Sequence, residues 1–472
     1  IYYLELPIVR FISTRGMSES CTFEDAVLTG LAPDGGLYVP EELPDFSVDT
    51  ISSWSELSYE DLAVNIMYPF VETEISRKSL KEIVKKSYAG FRNSEIAPML
   101  EFQDNSWILE LFHGPTLAFK DFALQFLGNL LDHMVESRKE KLVVLGATSG
   151  DTGSAAIEGC QDCQNIDIFI LHPHNRVSEV QRRQMTTIKK KNVHNIAING
   201  NFDDCQSIVK RAFSNQSFLK GEHRLIAVNS INFARILAQI VYYFWSYLLV
   251  GCPKDGIVYS VPTGNFGDVF AGYLALKMGL PVKKLLVATN SNDILHRCIN
   301  NNDHSPKKVD VSLAPSMDIM ISSNFERLLF DAYARDANLI RDIMARVSTA
   351  PIVLTNHALL SIRENFWSYR SSDDEIVEMI KAYFKDFNYM LDPHTAIGMS
   401  ASLEYRKLCD YPIVTLATAH PSKFPEISNQ TLLERPELPT NLRFILKNTE
   451  YFSILNNSQL EVENFILQKI FH

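Results

Sequence analysis

Beyond residue 141 the chain alternates between two hydrophobic rhythms, and this alternation constrains the fold more than any other feature. Short β-branched runs at 142–147, 166–171, 193–198, 225–228, 257–261, 285–289 and 413–416 are set between stretches of helical spacing. Strands joined through helices must run parallel, and a parallel strand is buried on both faces, which is why these runs are apolar throughout. The pattern predicts an α/β architecture of parallel sheets flanked by helices. In such sheets ligands bind at the carboxyl ends of the strands, where loops turn into helices. The first 105 residues read differently. Gly35-Gly36 marks a turn, and helical patterns cover 52–70 and 78–91.

Size and charge narrow the function classes. A chain of 472 residues is too long for a small binding module and has room for two or three domains. Its formal net charge of −11 opposes sequence-independent attraction to nucleic acid or anionic lipid, while leaving room for a local basic pocket around a phosphorylated metabolite. Seven cysteines, odd in number and without framework spacing, point to a reducing compartment. Cys160 and Cys163 read C-x-x-C, yet no second pair completes a zinc site and the pair falls at the end of an apolar helix. The apolar stretch 236–252 is short for a bilayer span and contains Gln239 and Ser246, so it reads as a buried helix. No signal peptide is visible, the first residue is Ile1 rather than Met, and a cytoplasmic location is expected.

Three segments carry chemistry. Val261-Pro262-Thr263-Gly264-Asn265-Phe266-Gly267 follows an apolar strand and precedes a helical pattern, so its amides and the helix dipole can hold an anion. A ligand-free tight turn is the competing reading, and Asp268 must point away if a phosphate binds there. A second turn runs Ala147-Thr148-Ser149-Gly150-Asp151-Thr152-Gly153, where hydroxyls and amides can bind a carboxylate or phosphate, or simply cap an alanine-rich helix. In the third, His113-Gly114-Pro115-Thr116-Leu117-Ala118-Phe119-Lys120-Asp121-Phe122, Lys120 stands among apolar residues on a helix. Desolvation disfavours its ammonium, and a neutral amine attacks aldehydes. Pairing with Asp121, or snorkelling to solvent, is the bland alternative.

Taken in order, these segments resemble the fold-type-II pyridoxal-phosphate enzymes, and in detail the bacterial and fungal threonine synthases. The likeness also runs through Ser13-Thr14-Arg15-Gly16, the stretch 31–40, Asn229 to Arg235, Pro315-Ser316-Met317-Asp318-Ile319, Asp392-Pro393-His394-Thr395-Ala396 and Thr418 to Phe424. Beyond about Glu426 it carries little.

The resemblance implies a tryptophan synthase β-subunit-like fold with pyridoxal 5'-phosphate as cofactor and O-phosphohomoserine as substrate. By the same resemblance Lys120 is the Schiff-base lysine and the general base. Gly264, Asn265, Phe266 and Gly267 hold the cofactor phosphate, Thr418 meets the pyridine nitrogen, and Ser149 and Asp151 lie beside the ring. Thr148, Ser149, Gly150 and Thr152 face the substrate's carboxylate. Arg235 leads Asn232 and Lys423 as holder of the departing phosphate, since a guanidinium grips phosphate bidentately; an ion pair anchoring its helix is the alternative. A hydroxyl at the pyridine nitrogen, unlike a carboxylate, leaves it unprotonated and suits elimination and replacement chemistry. His394 and His420 fall in matching segments, but no carboxylate arrangement marks them, so structural hydrogen bonding is expected. No metal, nucleic acid, membrane or obligate protein partner is implied. Residues 1–105 are expected to form a mainly helical N-terminal region and 106–472 the catalytic region, within which 140–223 is a smaller mobile α/β unit. Two rivals remain at this point: a phospho-lyase of the same fold giving 2-oxobutyrate, and a non-catalytic descendant that binds a phosphorylated ligand.

Overall fold

The computed structural model describes residues 9–103, 105–148, 150–219, 221, 223–432 and 436–471. An antiparallel ribbon of β1 (Phe11–Ser13) and β2 (Tyr38–Pro40) opens the chain. β3 (Met99–Glu101) and β4 (Ser106–Glu110) then form one edge of a six-stranded sheet. The chain leaves to build a second sheet from β5 (Lys141–Ala147), β6 (Ile166–Pro173), β7 (Val193–Asn199) and β8 (His223–Ile226). It returns with β9 (Ile257–Pro262), β10 (Val282–Thr289), β11 (Phe366–Arg370) and β12 (Ile413–Ala417), and finally adds β13 (Ser453–Asn456) to the second sheet.

The larger sheet has the order β11-β10-β9-β12-β4-β3 and is parallel except for β3. The second, β13-β7-β6-β5-β8, is parallel throughout. All seven runs of the sequence pattern are strands. Every residue of β9 is buried, the signature of a strand covered on both faces.

Helix Phe233–Leu249 is buried on all sides from Phe233 to Leu248, which its uniform apolarity requires. Among the described residues no helix is long and apolar enough to cross a membrane. Helix Lys120–Arg138, from the larger sheet, crosses helix Asp151–Cys160, from the second, at a pair of glycines. A Cβ on Gly128 would lie 2.0 Å from the Gly159 carbonyl oxygen, and one on Gly159 would lie 2.3 Å from that of Leu124. Only glycine permits this approach, and it brings Lys120 and Asp151 to one place. The Cys163 thiol donates to the Gly128 carbonyl at 3.5 Å in the same crossing.

One expectation needs revision, and one segment that the resemblance left unread gains a structure. The helical pattern at 52–70 is two helices, Val48–Ser52 and Tyr59–Val71, because Ser58 caps the second by accepting from the Asp61 amide at 3.1 Å. The segment after Glu426 is not featureless. β13 pairs with β7, and helix Gln459–Phe471 buries Val462 and Ile466 against Val143, Phe169 and Ile196 of the second sheet.

Candidate active site

The carboxyl ends of the two sheets face a common region, and the chain delivers its polar groups there by short-range devices. Before Lys120, the Thr116 amide and hydroxyl both donate to Asp121, at 2.8 and 2.6 Å, which shapes the bend into the helix. The same segment is zipped to the residues after β12. The Phe119 amide donates to the Thr418 carbonyl at 2.9 Å, and the His420 amide to that of Leu117 at 3.0 Å. Thr418 and Lys120 are thereby neighbours although far apart in the chain.

The Lys120 amine is buried, and burial pushes its pKa down; Lys423 and Arg235 push it further, against the opposing pull of Asp151. Asp151 lies 3.5 Å from Lys120 but only 2.8 Å from Lys423, whose side chain is wholly buried. Burial alone would raise the Asp151 carboxyl, yet Lys423 and Lys120 more than offset this and hold it well below the usual carboxylate range. Its charge is therefore matched chiefly by Lys423, and Lys120 is left able to lose its proton. Gln181 and Ser316 also donate to Asp151, each at 2.9 Å. Lys423 completes its set with the Thr116 carbonyl at 2.7 Å and Gln184 at 3.3 Å. With all three of its protons engaged, it offers none to a ligand.

Arg235 is buried without an ion pair among the described residues. One guanidinium nitrogen donates to the Val228 carbonyl at 3.3 Å and Nε has no partner. Burial pulls its pKa down to about 10. A buried, unpaired guanidinium is costly unless an anion meets it. Asn232, by contrast, is engaged at both ends, accepting from the Ala234 amide at 3.1 Å and donating to the Val27 carbonyl at 2.8 Å.

The turn after β9 is open to a ligand. Helix Gly267–Lys277 has no side-chain cap, Phe266 sits at φ +64°, and among the described residues the amides of 264–269 have no acceptor. Asp268 turns away towards helix Phe233–Leu249, taking bonds from the Tyr242 and Tyr243 hydroxyls at 2.6 and 2.9 Å. Burial lifts its pKa to about 6. The turn after β5 is filled from within. The Thr148 hydroxyl accepts from the Gly150 and Gly153 amides at 3.0 and 2.9 Å, while the amides of Asp151 and Thr152 have no acceptor among the described residues. Ser149 lies outside the described residues.

The structure thus gathers Lys120, Asp151, Arg235, Lys423 and Thr418, and puts both turns at the carboxyl ends of their strands. Two cations, Arg235 and Lys423, to one carboxylate, together with uncapped helix amides, fit a site for phosphorylated ligands; the neutral-leaning amine of Lys120 fits an aldehyde cofactor. Sequence reasoning missed Ser316, Gln181 and Gln184. Ser316 lay within a matching segment, but nothing local marks the two glutamines. It also missed the carboxylate beside His394: Asp392, two residues earlier, takes Nδ1 at 2.8 Å, and among the described residues Nε2 has no partner. His420 makes structural bonds, with Nδ1 accepting from the Ser422 amide at 3.2 Å.

Comparison with known proteins extends over nearly the whole chain. Family models described as "Threonine synthase N terminus", "Pyridoxal-phosphate dependent enzyme" and "Threonine synthase, C-terminal" match residues 10–88, 97–419 and 395–466. The last of these carries the likeness well past Glu426, where motif reading faded. A threonine synthase of Pseudomonas aeruginosa is 52% identical over 98% of each chain. Among solved structures, the PLP-bound threonine synthase of Brucella melitensis matches with a TM-score of 0.94 at 43% identity, covering 98% of this chain and 99% of that one. The yeast threonine synthase matches with a TM-score of 0.92 at 38% identity, covering 98% of each.

Proposed function

We propose that this chain, which belongs to the threonine synthase family of pyridoxal-phosphate-dependent enzymes, converts O-phosphohomoserine and water to L-threonine and phosphate with Lys120 as cofactor anchor and general base. Its fold is that of the fold-type-II enzymes, its cofactor is pyridoxal phosphate and its activity is that of a threonine synthase. The observation that carries the residue assignments is the buried Lys120 amine, relieved of its carboxylate partner by Lys423 and flanked by an unpaired arginine and an uncapped helix.

Bound pyridoxal phosphate supplies an aldehyde that holds amino groups covalently and a ring that takes up electron density when a proton leaves the adjacent carbon. The amides of Gly264, Asn265, Phe266 and Gly267 hold its phosphate, as their lack of internal acceptors supports. Thr418 would offer its hydroxyl to the ring nitrogen, and Asp151 would lie on the ring's side of the site. Lys120 Nζ would hold the cofactor's aldehyde and would serve as the base for the protons on Cα and Cβ; the burial that disfavours its ammonium suits it to both tasks. Arg235 holds the substrate's phosphate before and after it departs. The geometry favours it over Asn232 and Lys423, whose donors already have partners. Thr148, Ser149, Gly150 and Thr152 form the turn that receives the substrate's carboxylate, with the amides of Asp151 and Thr152 as its donors. The unit built on β5 to β8 closes over the substrate and excludes water. The enzyme works in the cytoplasm, where its thiols, all free, stay reduced.

Product analysis tests this reading. Purified protein given O-phosphohomoserine forms threonine and phosphate in equal amounts; 2-oxobutyrate in place of threonine would replace the synthase with the lyase.

A further inference from the structure

We propose that Glu450 is a positioning residue of this active site, acting through helix Glu179–Thr186 on the Asp151–Lys423 pair, so that the C-terminal segment 436–451 belongs to the catalytic apparatus. The inference rests on the threonine synthase reading given above.

Helix Glu179–Thr186 has only eight residues, too few to hold a helix or a position by itself, so its place is set by what touches it. One face looks into the site. Gln181 donates to Asp151 at 2.9 Å, and Gln184 accepts from Lys423 at 3.3 Å while donating to the Thr116 carbonyl at 3.1 Å. The opposite face is held by Glu450, which accepts from Arg182 at 2.8 and 3.2 Å and from the Thr186 hydroxyl at 2.7 Å. Arg182 and Thr186 are one turn apart, so a single carboxylate ties the last turn of the helix. Arg183 adds bonds to the Ile445 and Asn448 carbonyls, both at 3.3 Å, and the Tyr451 amide donates to the Thr186 carbonyl at 2.5 Å.

An apolar contact runs in parallel. Val180 of this helix packs with Leu438 and Ile445 from the C-terminal segment and with Leu117, which sits at φ +66° three residues before Lys120. The same segment therefore bears on both sides of the site: on Lys120 through Leu117, and on Asp151 and Lys423 through the two glutamines. Glu450 lies across the helix from these groups and acts on them only through it.

The test compares Glu450→Ala, Gln184→Ala and the double variant, each fully loaded with pyridoxal phosphate. Two readouts are taken: kcat per cofactor-loaded site, and the rate at which borohydride fixes the cofactor on Lys120, which requires no turnover. Glu450→Ala is expected to lower both about fivefold with KM changed less than about twofold, and the double variant to be no worse than the poorer single one, because both act on one link. Arg182→Met should reproduce the effect. Should Glu450→Ala fail to fold, Glu450→Gln keeps the shape, removes the charge and carries the same expectation. Full kcat per loaded site with an unchanged trapping rate, or single effects that multiply, would overturn the proposal and leave Glu450 a stability contact. If wild-type protein makes no threonine, the activity reading fails, whereas the trapping comparison still decides the role of Glu450.

Discussion

The two glycine-rich turns follow the same plan, strand then glycines then helix, yet they are finished differently. After β5, Thr148 reaches into the turn and takes the Gly150 and Gly153 amides, so the chain itself claims part of the turn and leaves the Asp151 and Thr152 amides. After β9 no side chain among the described residues does this, and among them the amides of 264–269 stay without acceptors while Asp268 is drawn off by Tyr242 and Tyr243. The contrast teaches that a strand-to-helix turn becomes an anion site by omission. What matters is whether the chain leaves the donors unclaimed, as much as how many glycines it has.

The contrast can be broken or sharpened experimentally. The largest effect belongs to the group that both turns serve: Lys120→Ala should lower threonine formation by roughly a thousandfold or more and remove the yellow absorbance of the bound cofactor, read by steady-state assay and spectrum. Persistent turnover would show that the turns flank some other centre. Lys423→Met removes the nearer cation from buried Asp151 and leaves only Lys120, at 3.5 Å, to oppose its charge, at a cost of up to about 3 kcal/mol in unfolding free energy near neutral pH. The Asp151 carboxyl lies below its ordinary value of 3.8 in the folded protein, so its stabilisation is complete above that value and is lost as the pH falls through the lower, folded one. Denaturant titrations should accordingly show the gap between wild type and variant wide at pH 7 and narrower below pH about 4. A constant gap would mean that Lys423 acts by packing alone.

The two turns are then set against each other. A Cβ on Gly264 would meet the Ile319 side chain at 3.0 Å and the Ser316 carbonyl at 3.1 Å, shifting the open cradle. Gly264→Ala should weaken pyridoxal phosphate about 10- to 100-fold by fluorescence titration, roughly 1.4–2.7 kcal/mol. Thr148→Val should instead cost about 1 kcal/mol of stability, visible as a lower Tm, with cofactor affinity within about twofold of wild type. If Thr148→Val weakened the cofactor as much as Gly264→Ala does, the distinction between a self-filled and an open turn would collapse.

Much of this was legible in the sequence. Most inner strands announced themselves where burial on two faces forces an apolar run; β3, β11 and β13, outer strands of their sheets, were missed, and so was the inner β4, whose short run is bounded by Ser106 and Glu110. The single pattern at 52–70 hid a break, because one serine capping bond outweighs hydrophobic spacing. At the site, the glycine turns and Lys120 stood out by local grammar. Gln181 and Gln184 did not, since a polar residue on a short amphipathic helix looks the same in sequence whether it faces water or a buried carboxylate, and Glu450, outside any helix or strand, meets Arg182 and Thr186 only through the fold.

The chain's own order of residues determined the fold class and the end of the sheets where ligands are expected, because periodicity and turn chemistry are local properties, and its likeness to a known family singled out Lys120 as the proposed anchor. Only the tertiary structure decided which polar groups stay available. Lys423 is consumed by Asp151, Thr116 and Gln184, while Arg235 keeps a nitrogen with no partner among the described residues. Availability is what remains after distant partners have been matched, and that matching is made by folding.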